Sequence, residues 1–339
     1  LARLLPRAAR LAWWRSRGVV SQLQSDGVQV YHGLSGELPI GLRRAGIRSV
    51  VTIHDLIFMR HPEYYHPWDV QIYRWKFRRA IEEADRIIAI SECTRRDIAE
   101  LGGVAEERID LVYQTCNPRF SQTATDNGAD SGDSDGMDSS DIAALRLPRR
   151  YMLSVGSIEE RKNLLLAVRA LPLLPKDLHL VAVGRQTPYA TRVAAEARRL
   201  GLAPRLHMLH GVSDAQLRAV YRGAEVFVYP SRYEGFGIPV IEAIHSGLPV
   251  VACTGSCLEE AGGPHNIYVS PDDAQALADG VTRMLRGATG RDERLSLSRE
   301  YVRRFEGRQV AAQVADIYYD LTNRQMDRYT ARTHLNSKI

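Results

Sequence analysis

The stretch "AEVFVYPSRYEGFGIPVIEAIHSGLPVVAC", residues 224–253, reads as a strand, a loop, a helix and a second strand. The apolar run ending at Ser231 is short and bounded by a turn, as a buried strand is. The loop holds Glu234, Gly235, Phe236 and Gly237. A helix from Ile238 to Ser246 follows, with Pro239 in its first turn and Gly247 as its stop. "LPVVAC" is the next strand. Two apolar strands joined through a helix argue for a parallel sheet covered on both faces.

The same alternation extends outward from this unit. "YMLSVG" from Tyr151 is a strand, followed by a helix from Asn163; "LHLVAVG" ends at Gly184, and a helix covers Tyr189 to Leu200. The first half repeats the pattern. "VQVYH" at 28–32, "SVVTIHD" to Asp55, "RIIAIS" to Ser91 and "IDLVY" to Tyr113 read as strands, with helices over Trp68 to Ala84 and Glu92 to Leu101. The expectation is an α/β chain of two similar domains. Ligands in such sheets sit at the carboxyl ends of the strands, and two facing sheets would enclose a cleft.

The bulk numbers agree. A chain of 339 residues, 45% hydrophobic and 25% charged, has the composition of a globular protein and the length of two domains. The expected boundaries are 1–117, a linker at 118–150, a second domain at 151–322 and a polar, frayed tail at 323–339. Within the linker, "SQTATDNGADSGDSDGMDSS" at 121–140 is acidic and without a basic residue, and reads as a disordered insertion. Its Asp spacing does not fit a calcium loop. Cys93, Cys116, Cys253 and Cys257 lack metal-knuckle spacing and read as free thiols. The formal charge of +5 permits an anionic partner, but no basic stripe interleaved with aromatics points to nucleic acid. No apolar run is long enough to span a membrane. Leu1 to Arg17 carries five arginines, no acid, and Trp13 and Trp14. That segment reads as an internal basic helix, a targeting stretch, or a segment lying on an anionic membrane surface.

Several side chains carry chemistry. In "VGSIEERKNL", Gly156 ends a strand, and Arg161 and Lys162 precede a helix start. Such a turn suits phosphate, though a solvated charged turn is the other reading. Gly235 and Gly237 let the backbone approach a ligand and adopt positive φ. Glu234 lies in the loop, and Glu242 lies about a turn into an otherwise apolar helix, where a carboxylate can accept ribose hydroxyls. His54 and Asp55 end a strand, where imidazole can hydrogen-bond a hydroxyl. Gly33, Ser35 and Gly36 form a loop after the first strand, in "YHGLSGELP". In "SECTRRDI", Ser91 caps a helix and Arg95 is a candidate for acceptor or phosphate contact.

Ser231, Glu234-Gly-Phe-Gly, Pro239, Glu242-Ala243 and Gly247-x-Pro249-Val250 resemble the signature of family 4 retaining glycosyltransferases with the GT-B fold, in which seven residues separate two glutamates. The likeness covers His32 to Ala278. It implies two Rossmann-like domains facing across a cleft, and metal-independent transfer with retention and no cofactor beyond the donor. It assigns Glu234 and His54 to the transferred sugar, Glu242 to the ribose, and Lys162 and Arg161 to the diphosphate. Ser157 stands where many members carry Arg. "YHGLSGELP" is similar to a subset building bacterial surface polysaccharide, which suggests GDP-mannose as donor and a glycan or lipid-linked glycan as acceptor. A cytoplasmic location, with peripheral contact at the inner membrane, goes with that subset. The strand and Gly-rich loop that open this family are not found before Val28, so the N-terminal domain is expected to be incomplete. Two rivals remain: a GT-B protein that isomerises or hydrolyses sugar nucleotides, and a non-catalytic nucleotide-sugar-binding scaffold. The glutamate pair speaks against the first. The missing loop favours the second, while His54, Lys162, Glu234 and Glu242 speak against it.

Overall fold

The computed structural model describes residue 11, residues 13–117, residue 120 and residues 144–336, with side chains to residue 323. The acidic stretch at 121–140 lies outside the described residues, as do residues 1–10 of the basic start. Two compact units are present: Leu1–Gln114 together with Gly307–Ile339, and Thr115–Glu306.

The first unit holds four parallel strands in the order β1 (Val30–Gly33), β2 (Arg48–Ile53), β3 (Arg86–Ala89) and β4 (Ile109–Leu111). Alternate residues of β2 and β3 point to opposite faces. Val51, Ile53, Ile87 and Ala89 pack with Phe77, Ala80 and Ile98 of the helices Pro67–Glu83 and Glu92–Gly102. Val50 and Ile88 pack on the other face with Ile317 and Leu321. This second contact alters the expected boundary at 322. The helix Gly307–Asn336 belongs to the first unit, because Val310, Val314, Ile317 and Leu321 form a stripe at helical spacing that covers the sheet. Tyr318 adds a polar tie, its hydroxyl 2.6 Å from His32 Nδ1. The backbone stays helical to Asn336, through most of the expected frayed tail.

The second unit has six parallel strands: β5 (Tyr151–Val155), β6 (His179–Val183), β7 (Leu206–Leu209), β8 (Val226–Tyr229), β9 (Val250–Cys253) and β10 (Ile267–Val269). Their order is β10-β9-β8-β5-β6-β7. The chain starts mid-sheet at β5, runs outward to β7, then returns to build from β8 to β10. Strand order therefore reverses between β5 and β8, which is where doubly wound sheets open a ligand crevice. Both edge strands escape a sequence reading, since "LHML" and "IYV" are short and only partly buried. The central strand β8 is buried throughout and was read from its apolar run.

Candidate active site

The reversal point gathers the residues singled out in the second unit. Gly156 follows β5 at φ 144°, a value a side chain rarely adopts, and the Lys162 stem passes 3.5 Å from where its Cβ would stand. Gly184, after β6, is equally constrained: a Cβ there would lie 1.8 Å from the Gly156 carbonyl oxygen. The turn continues as a 3₁₀ segment, Glu160–Lys162, before the helix Leu164–Ala170. Asn163 joins them at φ 53°, held by its amide donating to the Pro271 carbonyl at 2.8 Å.

This turn aims two cations at one carboxylate from the loop after β8. Lys162 Nζ lies 2.6 Å from Glu234 Oε1, and Arg161 Nη1 lies 2.8 Å from Glu234 Oε2. Arg161 also donates to the Tyr233 carbonyl at 2.6 Å and to Glu159 at 2.9 Å. Lys162 donates to the Tyr229 hydroxyl at 2.6 Å. Glu234 is buried, which by itself pushes its carboxyl up. Lys162 and Arg161 outweigh that burial and hold it below the usual carboxylate range. Tyr229 is pushed well above the ordinary phenol range, first by burial and then by Glu234. Its hydroxyl therefore keeps its proton. Arg161 and Lys162 face Glu234 and Glu159, so the formal charges of the four side chains cancel, with Glu159 the more exposed of the two carboxylates. Gly156, Ser157, Lys162 and Tyr229 line a small cavity at this point.

Gly235 and Gly237 act differently from the expectation. Neither has a positive φ. Gly237 is needed for closeness, since a Cβ would come within 2.7 Å of Ala261 Cβ in the helix Leu258–Gly262. The Phe236 ring is buried edge-on against Phe305, so it anchors the loop. The buried Cys257 thiol completes that anchor, donating to the Glu234 and Phe236 carbonyls at 3.2 and 2.7 Å. All four cysteines are free thiols.

Glu242 sits in the helix Ile238–His245 and accepts a hydrogen bond from the fully buried Tyr221 hydroxyl at 3.0 Å. Burial pushes its carboxyl up to about 7; Tyr221 pulls it down, and Asp214 pushes it up. Cys116 stands close enough to be raised to about 11, by burial first and Glu242 second. Phe120 lies edge-on to the Tyr221 ring. Tyr221 and Tyr229 show no signal in the sequence, and Cys116 and Cys257 read there only as free thiols, because their positions carry no local pattern beyond burial.

In the first unit, His54 follows β2. Its Nε2 faces the Leu34 carbonyl at 2.8 Å, which can only accept, so Nε2 carries the proton and Nδ1 accepts from the Gln114 amide at 2.9 Å. Asp55 Oδ1 accepts from the Ile57 N–H and caps a short helix. Gly33 is needed because a Cβ would lie 2.1 Å from the Glu37 carbonyl oxygen, while Gly36 takes a φ of 73°. Ser35 is exposed. Arg95 pairs with Glu92 and Glu106, at 3.5 and 3.1 Å, on the surface of its own unit.

Two sequence families match along the chain: "Glycosyltransferase Family 4" over residues 2–119 and "Glycosyl transferases group 1" over residues 138–300. The chain is a family 4 glycosyltransferase. It is an enzyme of glycosyl transfer from a nucleoside-diphosphate sugar to a glycan or lipid acceptor. O-antigen chain mannosyltransferase B of Escherichia coli is 27% identical over 304 residues, 85% of this chain and 74% of that protein. O-antigen chain mannosyltransferase RfbU of Salmonella typhimurium is 26% identical over 230 residues, 67% of this chain and 58% of that one. Alr3699/HepE of Anabaena, solved with UDP and glucose, superposes with a TM-score of 0.71 at 19% identity, over 89% of this chain and 82% of that one. That likeness establishes the fold, a GT-B-like pair of Rossmann-like α/β domains.

Proposed function

We propose that this glycosyltransferase moves mannose from GDP-mannose, with retention of anomeric configuration, to a glycan or lipid-linked glycan. One observation carries the donor site. Glu234 is buried between Arg161 and Lys162 at the reversal point of the six-stranded sheet, with Glu242 about one turn into the helix that follows. In the reading, the diphosphate takes Arg161 and Lys162 as partners, with Ser157 and the backbone of the loop after Gly156 beside them. Cationic charge there stabilises the leaving diphosphate as the glycosidic bond breaks. Glu234 then accepts from hydroxyls of the sugar, and Glu242 accepts from the ribose. The acceptor hydroxyl enters from the face the diphosphate leaves. Gly235, Phe236 and Gly237 contribute as a packed loop that presents backbone N–H groups. His54 is assigned to a sugar hydroxyl on the family resemblance, a role in which the hydroxyl would take the place of Leu34 or Gln114 at one ring nitrogen. Gly33, Ser35, Asp55 and Arg95 are assigned to the acceptor side on the same basis.

The choice of mannose rests on "YHGLSGELP" and on the two O-antigen mannosyltransferases that match most of the chain. The Anabaena protein, solved with UDP and glucose, makes UDP-glucose the donor to compare. Calorimetry against GDP-mannose, UDP-glucose and dTDP-rhamnose tests the assignment. Tight binding of GDP-mannose, weakened by Glu242→Ala, is the expected result. A folded sample that binds none of the three overturns the donor site, and one that prefers UDP-glucose overturns the sugar.

A further inference from the structure

Lys162 is held by more than the carboxylate it faces. Its Nζ donates to the Tyr229 hydroxyl at 2.6 Å and lies 2.6 Å from Glu234 Oε1. It also stands 4.9 Å from the centre of the Tyr229 ring. Tyr229 ends β8, the strand beside the reversal point, and is 2% exposed. Two positions earlier Phe227 points to the same face, and the two rings stack with centres 5.7 Å apart and planes at 23°. Phe227 in turn lies 5.7 Å from the Tyr221 ring, at 32°. Phe227 and Tyr221 are fully buried. The three rings come from β8 and from the helix Asp214–Gly223, packed between rigid elements. The hydroxyl at the end of this stack is therefore a fixed point in the floor of the site.

A lysine ammonium is a mobile charge on a flexible stem, and fixing its rotamers costs free energy. It has three N–H donors. Here Tyr229 takes one and Glu234 a second, which leaves the third a single direction. The phenol accepts from Lys162 and keeps its own proton, with Glu234 as the carboxylate beside it. A hydroxyl can accept and donate at once, and a phenyl ring can do neither. Gly156 keeps the other side clear, since the Lys162 Nζ lies 3.7 Å from where its Cβ would stand. Gly156, Lys162 and Tyr229 line one small cavity. Packing alone accounts for a buried tyrosine whose hydroxyl meets a backbone carbonyl, as Tyr151 meets Val220 at 2.7 Å. Tyr229 gives its hydroxyl to a cation instead. Arg161 has the Tyr233 carbonyl and Glu159 as further anchors, and Tyr229 supplies the matching anchor for Lys162.

We infer that Tyr229 is a positioning residue for the transfer: its hydroxyl holds the Lys162 ammonium where the donor diphosphate meets it. This role presupposes the donor site proposed above and adds a residue to it. Tyr229→Phe keeps the ring and the stack and removes only the hydroxyl, so thermal unfolding should show a folded protein. GDP, UDP, guanosine and uridine can be titrated by ligand-observed NMR, which reads millimolar affinities. Whichever diphosphate binds the wild type should bind Tyr229→Phe about three- to tenfold more weakly. Its nucleoside, which has no phosphate for Lys162, should bind both proteins alike. The same factor should appear in an Arg161→Met background and vanish in a Lys162→Met background, because the hydroxyl acts through Lys162. Equal losses of diphosphate and nucleoside, a loss that survives Lys162→Met, or no loss at all would each overturn the inference. A variant that does not fold would assign the hydroxyl to stability and overturn it too. Two further outcomes separate this role from the donor site itself. If Glu242→Ala weakens the diphosphate and Tyr229→Phe does not, the donor site stands and the role of Tyr229 falls. If neither diphosphate binds the folded wild type, the donor site falls and the role of Tyr229 with it.

Discussion

Replacing Glu242 by glutamine should make the protein more stable and a poorer binder at once. The carboxyl is pushed up to about 7 by burial, against an ordinary value of 4.5, and the one hydrogen bond it receives from Tyr221 does not restore it. A carboxyl raised on folding favours the protonated native state. Its contribution is intact below the unfolded value. Stability is lost as pH rises from about 4.5 through about 7, and the loss is constant above that. The shift converts to roughly 3 kcal/mol at 1.36 kcal/mol per unit, an upper bound because the side chain is only partly buried. Glutamine keeps the shape and still accepts from Tyr221, but removes the ionisation. Glu242→Gln should therefore unfold a few degrees above wild type at pH 8, given about 2–4 °C per kcal/mol for a unit of this size. At pH 4 the two proteins should unfold together. Thermal unfolding by circular dichroism at both pH values measures the difference. The binding half of the argument has the opposite sign. If ribose hydroxyls need the carboxylate, wild-type affinity for the donor should fall about tenfold from pH 8 to pH 6, because the competent fraction falls by that factor. Glu242→Gln should bind weakly at both. A variant no more stable than wild type at pH 8, or equally offset at both pH values, would refute the reasoning and mean that the carboxylate is ionised without penalty.

Other consequences are local. Tyr221→Phe removes the hydrogen bond that lowers the Glu242 carboxyl, so the pH midpoint of donor binding should move up, read by calorimetry across pH 6 to 9. Lys162→Met leaves Glu234 buried with Arg161 as its remaining cation; about 1–3 kcal/mol of stability should be lost along with diphosphate affinity, measured by denaturant unfolding and by UDP or GDP titration. Gly237→Ala places a methyl 2.7 Å from Ala261 Cβ, and overpacking of this kind should destabilise the second unit by about 1–3 kcal/mol. Ile317→Ala opens a gap under the first sheet and should cost about 2–5 kcal/mol, with increased amide exchange in β2 and β3 as the sign that the C-terminal helix belongs to that unit.

Periodicity and turn chemistry determined a good deal by themselves. Apolar runs such as "SVVTI" and "VFVY" declare parallel strands because a sheet covered on both faces has no polar side, and the helices between them follow from length. The spacing of Glu234 and Glu242 is a local property of one loop and one helix, so a linear reading finds it. Only the tertiary structure decided the rest. The partnership of Arg161 and Lys162 with Glu234 is a contact across two loops 72 and 73 positions apart, made adjacent because strand order reverses between β5 and β8. Tyr221 and Cys257 gain their roles from what they are buried against. The helix after Gly307 was assigned to the wrong sheet in sequence order, since an apolar stripe says that a face must be covered but not by which sheet. That all four tryptophans, spread over 63 positions, are left exposed is likewise decided by chain topology and not by local sequence. Local sequence fixes dihedral preference and the alternation of faces; which faces and charges meet is set by chain topology, and that is where this protein's site is made.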